Sequence, residues 1–132
     1  QAVLRLTAER ETLRVVCDQV GTPTYAGDLA LGIFSIIESG LYKGNEGIYH
    51  FTDEGVCSWY DFAVEIAAAA GHTRCRIEPC RAEESPTRAV RPAYSVLDRS
   101  KLKHTFGIEI PHWRESMLYC LRQIGQTEPE LL

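Results

Sequence analysis

Short runs of β-branched residues alternate with stretches of helical apolar spacing, and this alternation constrains the fold most. Residues 13–20 (LRVVCDQV) are β-branched and partly alternating, which predicts a strand. Residues 48–51 (IYHF) predict a second, shorter strand, and residues 76–79 and 94–97 predict brief extended pieces. Strands interleaved with helices indicate an α/β architecture, here with few and short strands.

The helical stretches carry recognisable start and stop signals. Thr22 and Pro23 predict a capped start for a helix that ends at Gly40. Ser58 and Asp61 have the spacing of a capping box that opens another helix. The remaining predicted helices are a helix tail over 3–12, a short helix from Asp98 to Gly107, and a last helix opened by Pro111.

The positions of the aromatic residues and histidines predict which of them lie in the core and which could contact a ligand. Trp59, Tyr60 and Trp113 could each stack on a base or a sugar. Trp59 shares the register of an apolar helical stripe, so we expect it in the core rather than on a ligand, and we expect the same of Trp113. Tyr60 points off that stripe and is freer to contact a ligand. His50 and His112 have no carboxylate close in sequence, and we interpret both as structural.

Length and charge set broad limits on function. A chain of 132 residues with 45% hydrophobic and 24% charged residues suits a single globular domain. The net charge of −4 argues against a nucleic-acid partner, which usually leaves a basic excess. No apolar run approaches the roughly 20 residues of a membrane helix, and the start lacks signal-peptide blocks. We therefore expect a cytoplasmic domain with neither a nucleic-acid nor a membrane partner.

The cysteines favour free thiols over a metal site. Five cysteines, an odd number spread along the chain, suit a reducing cytoplasm. Cys75 and Cys80 are separated by four residues rather than the two of a zinc knuckle, and a site with His72 would need a distant fourth ligand. We therefore assign no metal ligand, and we interpret Asp53 and Glu54 as a polar turn.

Four segments occur in an order that is typical of one enzyme family. They are residues 47–51 (GIYHF), 58–62 (SWYDF), 91–101 (RPAYSVLDRSK) and 110–114 (IPHWR). Together they resemble the C-terminal third of the dTDP-4-dehydrorhamnose reductases, which are extended short-chain dehydrogenase/reductases. The resemblance implies an α/β fold, the C-terminal lobe of an extended Rossmann-type reductase without its main nucleotide-binding sheet. Residues 1–132 would form a single partial domain, with 126–132 as a flexible tail.

Two features of that family are missing. The Gly-rich loop that binds NADPH is not present, and none of the six tyrosines is followed by lysine four positions later, as the catalytic Tyr-x-x-x-Lys pair requires. The resemblance therefore implies that NADPH binds to a missing N-terminal Rossmann lobe. We expect this chain to hold no cofactor and no catalytic residue of its own. Its first residue is Gln1, which suggests a cut or processed chain.

The resemblance also implies that the passage from 19 to 24 faces a nucleotide sugar. In the extended reductases this passage leads from a strand into a helix, so Gln19, Thr22 and Thr24 would line the substrate pocket. Helix N-termini present unpaired N–H groups and favour anions. A tight capped turn without a ligand is the alternative interpretation.

Arg91 is the strongest substrate-binding candidate, and Tyr60 is a further one. In the family, an Arg-Pro at this place reaches the diphosphate, so Arg91 would bind phosphate oxygens beside Pro92. Guanidinium suits this role because it can bind two phosphate oxygens at once. The alternative is a solvent-exposed arginine paired with Glu83 or Glu84.

The implied function is the substrate-binding part of an NADPH-dependent dTDP-4-dehydrorhamnose reductase, which forms dTDP-L-rhamnose for bacterial polysaccharide. The implied partners are a dTDP-sugar, the missing N-terminal lobe and, as a possibility, further copies of the chain. Two alternatives stay open: a non-catalytic regulatory relative of the same fold, and the lobe of a sibling epimerase or dehydratase. An upstream Gly-rich loop and Tyr-x-x-x-Lys pair would favour the enzyme.

Overall fold

The computed structural model describes residues 1–126 except 86 and 88. Over these residues the chain forms five α-helices and four short strands. The helices are α1 (Ala2–Glu9), α2 (Ala26–Ser39), α3 (Trp59–Ala69), α4 (Ser100–Phe106) and α5 (Trp113–Gln126). The strands are β1 (Thr12–Val16), β2 (Val20–Gly21), β3 (Cys57–Ser58) and β4 (Arg76–Cys80). The flexible tail predicted for 126–132 lies outside the described residues, apart from the residue that ends α5.

The strands form two separate pairs. β1 and β4 are parallel, with Leu13 opposite Ile77, and β2 and β3 are antiparallel, with Val20 opposite Ser58. The predicted strand 13–20 is therefore two strands, interrupted at 17–19. The extended piece predicted at 76–79 is confirmed as β4.

The predicted strand at 48–51 is wrong. These residues pair with no strand among the described residues, and a strand exists only through its hydrogen-bonded neighbour. Side chains position the segment instead: the Tyr49 ring contacts the Phe106 ring at 4.9 Å, and the Lys101 ammonium lies 4.4 Å from the Tyr49 ring centre. Ile48 stays 80% exposed. An alternating pattern predicts a strand, but only a partner forms it.

The start of α3 follows its local signal, and the start of α4 follows it in part. The capping box of α3 is confirmed, because the Ser58 hydroxyl accepts the Asp61 N–H at 3.1 Å and the Asp61 carboxylate accepts the Ser58 N–H at 2.9 Å. At α4 the N-cap residue is Arg99, without a side-chain cap, and the Asp98 carboxylate one residue earlier accepts the Ser100 N–H at 2.8 Å. Gly107 then ends α4 in the left-handed conformation, at φ 63°.

The start predicted for α2 is wrong. α2 begins at Ala26, and Tyr25 precedes it without a side-chain cap. Thr22 uses its hydroxyl elsewhere, donating to the Gly55 carbonyl at 2.8 Å. Thr and Pro are common in turns as well as at helix starts, so the local pattern did not distinguish them. The predicted end at Gly40 is confirmed, with a left-handed φ of 69°.

The core lies where α3 and α5 meet. Ile66, Met117 and Cys57 pack around Trp113, which is 6% exposed, as expected for that tryptophan. Trp59 is not in this core: it is 47% exposed. It is the first residue of α3, so it lies beyond the buried stripe whose helical register it shares. No helix in the described part of the chain is long and apolar enough to cross a membrane.

Helix α2 carries large apolar side chains on several sides at once. Leu31 is 67% exposed and Phe34 is 56% exposed. Further exposed apolar side chains on this helix are Leu29, Ile33 and Ile37. A helix that is apolar around its circumference is typical of a buried element, so this surface indicates a site of contact with other protein.

We expect the isolated chain to self-associate through α2. Association removes exposed apolar surface from water, which is favourable. Light scattering after size exclusion should therefore show dimers or larger species at micromolar concentration. Phe34→Glu should shift the chain towards monomer. A monomeric wild-type chain up to millimolar concentration would contradict this expectation.

Two helical glycines should respond oppositely to alanine. A Cβ at Gly32 would lie 2.8 Å from the ring of Phe51, so Gly32→Ala should destabilise the chain by roughly 1–3 kcal/mol. A Cβ at Gly125 meets nothing within 4 Å in the described part of the chain, so Gly125→Ala should stabilise it by up to about 1 kcal/mol. Urea denaturation measures the change in stability that each substitution causes. The same change for Gly32→Ala as for Gly125→Ala would show that the Phe51 ring moves aside without cost.

Candidate functional site

Three segments that are distant in sequence meet around a cavity of about 240 Å³. Residues 19–23 form one wall and residues 57–59, at the start of α3, form another. Arg91, Pro92 and Ser95 complete the lining. The pocket therefore lies between a strand-to-helix passage, a helix start and a proline-containing loop.

Val20 holds these segments together through its backbone. Its N–H donates to the Ala93 carbonyl at 2.8 Å, and its carbonyl accepts the Ser95 N–H at 2.9 Å. Within β2 and β3, Val20 also lies opposite Ser58. Gly21 permits the close approach, because a Cβ there would lie 2.8 Å from the Ser95 hydroxyl oxygen. The pocket walls are thus fixed by main-chain hydrogen bonds.

The structure brings three of the five predicted site residues to this pocket. Gln19, Thr22 and Arg91 line it, although Thr22 already donates its hydroxyl to the Gly55 carbonyl. Thr24 lies on a neighbouring, largely apolar cavity, where its hydroxyl donates to the Thr22 carbonyl at 3.2 Å. Tyr60 is half-buried on α3 and does not line the pocket. Their roles in ligand binding remain predictions.

Arg91 is exposed and available to a ligand. It forms no ion pair with any residue that the structure describes. Glu84, one of its two predicted partners, instead binds the Arg14 guanidinium at 2.7 Å and accepts the Arg81 N–H at 2.8 Å. The alternative pairing with Glu84 is therefore not formed.

Charge is unevenly distributed around the pocket. Hydrogen bonds from the Ser58 side chain and then its backbone hold the pKa of Asp61 below its usual range, so a carboxylate lies beside the 57–59 wall. Burial, and secondly the Asp61 charge, raises the pKa of Cys57 to about 11, so this thiol is neutral at physiological pH. Arg91 is the cation among the lining residues. An anionic group would therefore bind at the Arg91 side.

Trp59, Ser58 and Ser95 also line the pocket. The sequence does not indicate Ser58 and Ser95 as site residues, and for Trp59 it favours the core over stacking on a ligand. The spacing of Trp59 matches the apolar stripe of α3, and this periodicity predicts a core residue. The signal that distinguishes it is the capping box, since a residue directly after the cap belongs to the first turn and extends past the helix end.

Asp53 and Glu54 do not form a simple polar turn. Asp53 is completely buried, and its carboxylate accepts the Tyr25 N–H at 3.0 Å. Glu54 binds the Arg99 guanidinium at 2.8 Å and the Lys103 ammonium at 2.6 Å. The pair therefore connects the loop before β3 to α2 and α4, which local sequence could not show.

Burial raises the pKa of Asp53, and the neighbouring Asp28 charge raises it further, against the opposing effects of the Tyr25 N–H and Arg99. One Asp53 carboxylate oxygen has no hydrogen-bond partner among the described residues. The same holds for three other buried polar atoms, on Asp28, Trp113 and Ser116. No group of three or more potential metal ligands occurs in residues 1–126 outside the two undescribed positions.

The family model described as the RmlD substrate binding domain matches residues 1–125. The chain belongs to this family. Its resemblance to the dTDP-4-dehydrorhamnose reductases is thereby confirmed for the substrate-binding portion, and the pocket described above lies entirely within the matched residues.

Curated relatives agree with this assignment. The dTDP-4-dehydrorhamnose reductase of Burkholderia thailandensis is 37% identical over 136 residues, which cover 94% of this chain and 46% of that protein. The spore coat polysaccharide biosynthesis protein SpsK of Bacillus subtilis is 37% identical over 123 residues, covering 93% of this chain and 41% of that protein. The chain thus spans less than half the length of these relatives.

Solved structures confirm the mixed α/β fold. The dTDP-4-dehydrorhamnose reductase of Clostridium acetobutylicum superposes with a TM-score of 0.86 at 40% identity, covering 94% of this chain and 42% of that one. The reductase of Bacillus anthracis, solved in complex with NADP, gives a TM-score of 0.83 at 34% identity, covering 92% of this chain and 42% of that one. The α/β fold class expected for the lobe is therefore correct.

Proposed function

We propose that this chain is the substrate-binding part of an NADPH-dependent dTDP-4-dehydrorhamnose reductase, and that its pocket binds the nucleotide sugar. The observation that carries the proposal is the meeting of Gln19 and Arg91 on one pocket from positions 72 residues apart. Arg91 supplies charge to the diphosphate, and Gln19 supplies an amide that both donates and accepts hydrogen bonds. Thr22, Thr24 and Tyr60 are further proposed contacts, of which Thr22 lines the pocket.

In this reaction NADPH gives a hydride to the C4 carbonyl carbon of the sugar, and a protein acid gives a proton to the carbonyl oxygen. The chain carries neither the Gly-rich loop nor the Tyr-x-x-x-Lys pair for those steps. Its contribution is to hold the sugar in a fixed orientation towards a cofactor bound by the remaining part of the protein. Orientation of this kind supplies a large share of catalysis but cannot replace the donors.

The chain alone should bind dTDP but should not oxidise NADPH in the presence of dTDP-4-dehydro-L-rhamnose. Titration calorimetry measures the first property, and absorbance of NADPH measures the second. A longer protein that includes an N-terminal Rossmann lobe with both motifs should show turnover. Absence of dTDP binding by the folded chain would contradict the proposal, and so would turnover above a heat-inactivated control free of host reductase.

A further inference from the structure

We propose that Trp59 is the stacking wall of this pocket and binds the uncharged ring of the ligand whose phosphates contact Arg91. The inference rests on the proposed nucleotide-sugar function and adds a recognition residue to it. Both side chains line the same cavity, from the start of α3 and from the loop before α4.

Trp59 combines a fixed backbone with a free side chain. Its helix start is held by the reciprocal Ser58–Asp61 capping bonds and by the β2–β3 pairing of Ser58 with Val20. Trp59 is nevertheless 47% exposed as a residue, whereas Trp113 is 6% exposed. A large aromatic surface left open on a rigid support loses little conformational freedom when a ligand covers it.

The charges around the pocket orient the ligand. The Asp61 carboxylate accepts hydrogen bonds from the N–H and the hydroxyl of Ser58, which precedes Trp59 in the 57–59 wall, so its negative charge disfavours phosphate at this wall. Arg91 favours phosphate on its own side, and the Cys57 thiol in the 57–59 wall is uncharged at neutral pH. A ligand with an anionic centre and a neutral ring therefore fits with its ring against the indole.

An indole face can stack on a pyrimidine base and can also cover the C–H face of a sugar. Trp59 and Arg91 both line the cavity of about 240 Å³, so one ligand can present a ring to the indole and a phosphate to the guanidinium. Stacking of one base on an aromatic side chain changes affinity by about tenfold when the side chain is removed. We expect a loss of affinity of this size when the indole is removed, whether the base or the sugar of the ligand lies against it.

The test measures affinity for dTDP and for dTDP-L-rhamnose by titration calorimetry with the folded wild-type chain and its variants. Trp59→Ala should weaken binding about tenfold. Trp59→Phe should restore most of the affinity, since it keeps an aromatic face. Tyr119→Ala is the matched control, because Tyr119 is also 47% exposed but lies on α5 outside the pocket. Its affinity for both ligands should equal that of the wild type.

Intrinsic fluorescence provides a second readout that a merely structural role would not change. In Trp113→Phe the remaining indole is Trp59, and dTDP should quench its emission. In Trp59→Phe the remaining indole is the buried Trp113, and dTDP should leave its emission unchanged.

The two ligands identify the ring. Equal loss of affinity for both in Trp59→Ala assigns the base to the indole, and loss for dTDP-L-rhamnose alone assigns the sugar. Unchanged affinity for both, with wild-type binding intact, overturns the role of Trp59 and leaves the proposed function standing. If the folded wild-type chain binds neither ligand, the proposed function fails and this inference fails with it.

Discussion

Replacing Arg91 with alanine should weaken dTDP binding roughly ten- to a hundredfold. Loss of a charge-assisted contact to phosphate costs on the order of 1.5–3 kcal/mol of binding free energy. The guanidinium is exposed and forms no ion pair within the described residues, so its removal should leave folding intact. Titration calorimetry with dTDP measures the loss directly.

Two variants separate charge from geometry and from general surface effects. Arg91→Lys should recover only part of the affinity, because an ammonium keeps the charge but cannot form the two-pronged contact. Arg14→Ala removes an arginine whose partner is Glu84 and which does not line the pocket, so dTDP affinity should stay unchanged. In a protein that includes the N-terminal lobe, Arg91→Ala should leave NADPH binding nearly unchanged. Unaltered dTDP affinity in Arg91→Ala would show that Arg91 is a solvated loop residue.

Replacing Asp53 should destabilise the chain strongly, unless the new side chain keeps an acceptor. Asp53→Leu leaves the Tyr25 N–H without its partner at the start of α2, which should lower the free energy of unfolding by about 1–3 kcal/mol. Asp53→Asn keeps an oxygen that can accept this N–H and carries no charge. It should therefore be much less destabilised than Asp53→Leu at every pH.

The difference between wild type and Asp53→Asn should depend on pH. Burial raises the pKa of Asp53 in the folded state above its unfolded value, so the folded state retains the proton longer. Stability from this carboxyl is complete below the unfolded pKa and is lost as pH rises through the raised folded pKa. The wild type should consequently lose stability relative to Asp53→Asn as the pH rises above about 4, the ordinary range of an aspartate pKa. Urea denaturation at several pH values measures this, and a constant difference would show that Asp53 titrates normally.

Local signals predicted the helix ends well where all partners lie within a few residues. The capping box of Ser58 and Asp61 forms as its spacing indicates, and Gly40 and Gly107 end their helices in the left-handed conformation. The start of α2 was not predictable in this way. Tyr25 precedes the helix, and its N–H donates to Asp53, which is 28 residues away in the chain.

The candidate site was predictable in part. The family resemblance pointed to Gln19, Thr22 and Arg91, and the folded chain brings these three together. Helical periodicity placed Trp59 in the core, although it lines the pocket. Periodicity gives the direction of a side chain around the helix, but it does not say how far along the helix the neighbouring element extends.

The sequence by itself determined the helical stripes, the capped start of α3, the glycine ends and the family, because these depend on residue spacing and on motifs read in order. Tertiary structure alone decided that Asp53 is buried, that Trp59 is exposed and that residues 48–51 lack a strand partner among the described residues. Burial and strand pairing depend on which distant segments meet. No local pattern carries that information, since the same residues suit a turn, a core or a strand until a neighbour packs against them.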